Sequence, residues 1–177
     1  MNSPWPVAIL RIDLVGSLST RKGGVKFVII VVEYFTRCAE AEPMNIVTSK
    51  KALDFVIKNI MCRYGIPCKI VSDNGKEFDS DQFNDFSIKH GIIKSFLAVA
   101  KLQANGQVEV VNKIFKTALN KKLQACKAHW PKEHPRDLWA YKTIEKTSTR
   151  HTPYSMTHGC EAVILVESIV PPHMTET

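Results

Sequence analysis

A chain of 177 residues, 45% hydrophobic and 23% charged, has the size and composition of one globular domain and not of a disordered segment. Its longest apolar run, Phe27 to Val32, is six residues where a membrane-spanning helix needs roughly 20, and Met1-Asn2-Ser3-Pro4-Trp5-Pro6 has neither the basic nor the apolar part of a secretory signal. The net charge of +7 is unevenly placed, with 11 basic and 4 acidic side chains in residues 101–151, which suits a polyanionic partner as well as a solvated basic surface.

In chain order, Val7 to Val15 is a mostly apolar run interrupted by Arg11 and Asp13 and is expected as a strand. Ser17 to Gly24 is turn material. Val25 to Phe35, rich in Val and Ile, predicts a strand buried on both faces, and Arg37 to Glu42 a third strand, completing an antiparallel meander. The period then changes: Thr48 or Ser49 can cap a helix with Leu53, Val56, Ile57, Ile60 and Met61 at helical spacing, stopped by Gly65. Cys68 to Ser72 predicts a short strand, Ser80 to His90 a helix with Phe83, Phe86 and Ile88 apolar, and Ile92 to Leu97 a fifth strand. A long amphipathic helix is expected from Gln103 to Lys127, and another after Pro135 with Leu138, Trp139, Tyr141 and Ile144. The order βββαβαβαα predicts an α/β fold, a mixed sheet flanked by helices. Cys38, Cys62, Cys68, Cys126 and Cys160 include no Cys-x-x-Cys pair and read as reduced thiols of an intracellular protein.

Three carboxylates stand out. Asp13 interrupts an apolar strand, where an uncompensated charge costs several kcal/mol. Asp73 follows the fourth strand in Val71-Ser72-Asp73-Asn74-Gly75, and Glu109 lies in the first turns of the long helix. Each has an ordinary explanation: an ion pair for Asp13, a turn for Asp73, a favourable helix-dipole contact for Glu109. First and fourth strands of a mixed sheet are often neighbours, however, so the acids can converge.

Asp13, Asp73 and, after 35 intervening residues, Glu109 resemble the catalytic core of retroviral and retrotransposon integrases. Tyr34-Phe35-Thr36-Arg37, Arg63-Tyr64-Gly65-Ile66-Pro67, Val71-Ser72-Asp73-Asn74-Gly75, Gln103-Ala104-Asn105-Gly106-Gln107-Val108-Glu109, Leu138-Trp139-Ala140-Tyr141 and Thr152-Pro153-Tyr154-Ser155 are similar to gypsy-type long-terminal-repeat elements. The resemblance implies a ribonuclease H-like fold with a five-stranded mixed sheet, over a core domain of residues 1–167 and a tail or linker of residues 168–177. It implies DNA integration by a polynucleotidyl transferase that joins retroelement ends to target DNA, with two Mg²⁺ ions (Mn²⁺ substituting) on Asp13, Asp73 and Glu109. All-oxygen ligands favour Mg²⁺ or Mn²⁺ over Zn²⁺ on chemical grounds as well. Helical spacing sets Asn112, Lys113 and Lys116 beside Glu109, suited to DNA phosphates; Lys101, Gln103, Asn105 and Gln107 are the other expected DNA contacts. A homo-oligomer, a nuclear location and the absence of the family's flanking zinc and DNA-binding modules complete the expectations.

The pattern also departs from the family. Glu33 and Cys38 stand where Asp and Trp are usual, Lys101-Leu102 replaces His-Pro, Glu145, Ser148 and Arg150 replace Pro, Pro and Gly, and His158 replaces Tyr. Two other readings therefore remain: a catalytically silent DNA-binding remnant, and a hydrolytic nuclease on the same fold.

Overall fold

A computed structural model describes residues 7–16, 24–73, 75–96, 130–147 and 149–162. The helix expected over 103–127 lies outside them, and with it Glu109, Lys101, Gln103, Asn105, Gln107, Asn112, Lys113 and Lys116; so does the tail from residue 163.

Five strands form one mixed sheet in the order β3-β2-β1-β4-β5. β1 (Ile9–Val15) alternates, turning Leu10 and Ile12 to one face and Arg11 and Asp13 to the other. β2 (Phe27–Glu33) and β3 (Ala39–Met44) pair antiparallel beside it, whereas β4 (Lys69–Ser72) and β5 (Ile93–Phe96) run parallel to it. The expected meander and the expected proximity of first and fourth strands are both present. Gly16 is required at the end of β1, because a Cβ there would meet the Phe27 ring at 2.2 Å.

Helix α1 (Ser49–Phe55) starts where predicted, the Thr48 hydroxyl accepting from the Lys51 N–H at 3.3 Å. It runs on through a π-helical stretch, Val56–Met61, and a last turn α2 (Cys62–Tyr64) to Gly65, whose φ of +93° suits glycine. The wider π turn shifts the helical phase, so Val56 and Ile60 are buried while Ile57, expected beside them, is exposed. Helix α3 (Asp81–Lys89) is capped by Ser80, and Gly91 follows it at φ +67°. Its Phe83 is buried, but Ile88 is 79% exposed and Ser87 takes the inward position, its hydroxyl donating to the Phe83 carbonyl. Helix α4 (Trp130–Thr143) begins well before the expected start and carries Pro135 inside it, at the cost of one helical hydrogen bond. A short helix α5 (Pro153–His158), not expected, has Thr152 as cap and Pro153 in its first turn.

The helices cover both faces. Leu10, Ile12, Ile29, Val31 and Ile70 pack with Leu53, Phe55, Val56, Ile60, Phe78 and Phe83. On the other face Val28, Ile30 and Ala41 pack with Leu138 of α4. Among the described residues no helix is long and apolar enough to cross a membrane, and Cys38, Cys62, Cys68 and Cys160 are free.

Candidate active site

The parallel pairing of β1 and β4 matches Arg11 with Val71 and Ile12 with Ser72. Asp13 follows Ile12 within β1, and Asp73 follows Ser72 just past the end of β4. Adjacent strands lie about 4.8 Å apart, and registered residues of a parallel pair point to one face. Ile12 is buried in the first core and its partner Ser72 is buried too, and alternation along β1 turns Asp13 to the opposite face, where it pairs with Ile30 of β2. This is the carboxyl end of two parallel strands, where open α/β sheets place their ligands.

The chain leaves β4 through a tight turn. The Gly75 N–H lies 3.4 Å from Asp73 Oδ1, and a Cβ on Gly75 would stand 3.2 Å from that oxygen and 2.9 Å from Glu77 Oε2. The missing side chain at Gly75 keeps this approach to Asp73 open. Glu77 was not among the expected residues, although its two-residue spacing from Gly75 within the turn hints at its position.

Asp13 is already paired. Arg11 Nε donates to its Oδ2 at 2.7 Å and Arg11 Nη2 to its Oδ1 at 3.4 Å, with the two side chains only 12% and 15% exposed. The ion pair that was the ordinary explanation for Asp13 is therefore present, and it arises from the i, i+2 alternation of a strand. Among the described residues no group of three or more His, Cys, Asp or Glu is placed to hold a metal; Glu109, the expected third ligand, lies outside them.

The departures at Glu33 and Cys38 have structural accounts. The buried Glu33 carboxylate closes the β2–β3 turn, accepting from the Phe35 N–H at 3.0 Å, the Thr36 N–H at 2.6 Å and the Thr36 hydroxyl at 2.8 Å. The turn ends on Arg37 at φ +62°, held by the Tyr141 hydroxyl, which donates to the Arg37 carbonyl at 2.9 Å. Glu33→Ala should cost about 2 kcal/mol in urea denaturation, since a buried N–H and hydroxyl lose their acceptor; an unchanged midpoint would show that the turn holds itself. Cys38 borders a small, mostly apolar cleft with Val7, Leu10, Val31, Ile60 and Thr157, and burial pushes its thiol pKa up against the opposing pull of Lys142.

On the first-core face, Glu40 of β3 is a second polar centre that the sequence did not mark. It is buried and accepts from Arg63, Tyr64 and Lys142, joining the edge strand to the end of α2 and to α4. Burial, with the neighbouring Cys38 and Glu40, raises the Tyr64 phenol pKa well above its ordinary value.

No family model matches the chain. It is 30% identical over 139 residues to the Gag-Pol polyprotein of feline leukemia virus, covering 77% of this chain and 8% of that protein. It is 27% identical over 162 residues to gypsy retrotransposon integrase-like protein 1 of Rattus norvegicus, covering 87% of this chain and 29% of the relative. In structure it is similar to the HTLV-2 integrase catalytic core domain in complex with magnesium, with a TM-score of 0.66, 22% identity, 89% of this chain and 100% of that one covered. The chain is a homologue of retroviral Gag-Pol polyproteins and of a gypsy retrotransposon integrase-like protein. Its fold is that of their catalytic cores, the ribonuclease H-like mixed sheet. A simian T-cell lymphotropic virus intasome in complex with PP2A regulatory subunit B56 gamma superposes at a TM-score of 0.69 and 20% identity, over 100% of this chain and 63% of that one. The chain thus spans only a small part of the length of the curated relatives it matches.

Proposed function

We propose that this chain is the catalytic core of a DNA-joining polynucleotidyl transferase, with Asp13, Asp73 and Glu109 as its metal ligands and catalytic residues. The observation that supports the reading is the parallel register of β1 and β4, which pairs Ile12 with Ser72 and leaves Asp13 and Asp73 each one residue further along at the carboxyl ends of these strands. The donor set fits a hard divalent cation: the groups are carboxylates, and one of them already draws a guanidinium. Two bound Mg²⁺ or Mn²⁺ ions would supply activation of the attacking oxygen and stabilisation of the leaving one. The chain itself would supply the carboxylates, and it keeps a side chain at Gly75 away from Asp73 and backs Asp13 with the second core. Joining is a transesterification: a DNA 3′-hydroxyl oxygen bonds to a target phosphorus as that phosphorus loses its bond to the adjoining 3′ oxygen, which leaves with a proton. No protein nucleophile is consumed.

Lys101, Gln103, Asn105, Gln107, Asn112, Lys113 and Lys116 are proposed to contact DNA, the lysines through phosphates. Replacing Lys113 and Lys116 with Ala should weaken binding to unrelated duplexes alike and flatten the log–log salt slope by up to about two. Equal slopes for both proteins would remove these lysines from the interface. A homo-oligomer working in the nucleus is the setting this chemistry implies, and the dimeric and trimeric forms of the HTLV-2 core support the first part. The Arg11–Asp13 ion pair favours a second reading, a DNA-binding remnant without activity. Incubation with branched DNA that mimics the joined product, plus Mn²⁺, separates the two: resealing of the branch supports the transferase, and binding without resealing supports the remnant.

A further inference from the structure

We propose that Arg11 is a built-in counter-ion that occupies the Asp13 carboxylate in the metal-free core and competes with divalent metal for it. The inference rests on the reading of Asp13 and Asp73 as metal ligands. Carboxylates that share a metal site repel each other, so a nearby cation favours their charged form when metal is absent. Arg11 supplies it from the same strand and the same face. Its fork engages both oxygens of Asp13, Nε at 2.7 Å and Nη2 at 3.4 Å, so an entering ion has to displace at least one of these bonds. With both side chains largely shielded from water, the pair is screened much less than a surface salt bridge. Arg11 is thus a positioning residue. It holds Asp13 ready and sets the metal concentration at which the site loads.

The test is Mn²⁺ titration of the 177-residue chain at fixed pH and ionic strength, reading free Mn²⁺ by electron paramagnetic resonance and the metal-induced rise in melting temperature. Arg11→Met should bind Mn²⁺ about tenfold more tightly than the parent, the scale of one charge-assisted hydrogen bond, and show the larger thermal rise. Arg11→Lys, which keeps the charge but loses the fork, should fall between them and serves alone if Arg11→Met does not fold. Asp13→Asn and Asp73→Asn should lose binding in either background. Unchanged or weaker Mn²⁺ binding by the Arg11 variants, with the Asp variants still losing it, overturns the counter-ion role and leaves the metal site standing. Asp variants that bind Mn²⁺ as the parent does overturn the metal-site reading and the counter-ion role with it.

Discussion

Asp73→Asn should leave the fold intact and lower Mn²⁺-dependent resealing of branched DNA by at least about 10²- to 10³-fold. The substitution changes one oxygen to an amide and removes one negative charge, so the volume at the end of β4 is kept. What goes is one carboxylate of the proposed metal site at the end of β4. A metal ion at a reacting phosphate contributes several kcal/mol of charge stabilisation, and each 1.36 kcal/mol is a factor of ten in rate. Because residues that act as one unit are not additive, Asp13→Asn should cost a similar factor, and the double variant little more. Circular dichroism melting provides the folding control. Resealing within tenfold of the parent, in a variant that melts normally, would falsify the assignment of Asp73.

Glu40→Ala should be the most damaging substitution for stability, at about 3 kcal/mol, which in a domain of this size lowers the melting temperature by roughly 6–12 °C. The carboxylate is only 6% exposed and Lys142, 13% exposed, donates to it from α4. Without Glu40 that ammonium is left partly buried and unpaired, and the Tyr64 hydroxyl loses its acceptor. Arg63 is 53% exposed and can return to water, so it adds little to the loss. Glu40→Gln should cost less, because the amide oxygen still accepts from Tyr64. Combining Glu40→Ala with Lys142→Met should cost less than the sum of the two single changes, since the second removes the stranded charge created by the first. Strict additivity in thermal denaturation would show that the two groups do not depend on each other.

The pairing of first and fourth strands was legible because a meander followed by βαβ crossovers leaves few places for β4, and right-handed crossover sets it beside β1. The starts of α1 and α3 were legible too, since Thr48 and Ser80 cap through contacts three residues long. Ile88 was misplaced because the α3 core stripe passes through Ser87, a residue that a hydrophobic count leaves out. Pro135 suggested a helix start, and only the backbone shows α4 running through it. The signal for α5 was available in Thr152-Pro153, a cap followed by a first-turn proline, but a six-residue helix is too short to show a period. Glu40 could not be found from sequence. Its partner Lys142 is 102 residues away, and nothing local distinguishes a buried carboxylate from a solvated one. An ion pair was an expected role for Asp13; that Arg11 supplies it, through a two-pronged contact, needed coordinates.

The same topology divides the acidic pair between two kinds of folding event. β1, β2 and β3 follow one another in sequence and pair antiparallel, so Asp13 reaches its final surroundings through contacts near in sequence. Asp73 reaches its place only when the whole meander and the α1–α2 helix have been looped out and β4 docks in parallel on β1. Loop closure must come before that pairing contributes any stability, which makes the parallel contact a slower step than the hairpins. A chain caught with the meander formed and β4 undocked would carry Arg11 and Asp13 already together on one strand. Its lone aspartate would then be neutralised in place, with no unpaired negative charge exposed while the second waits to arrive.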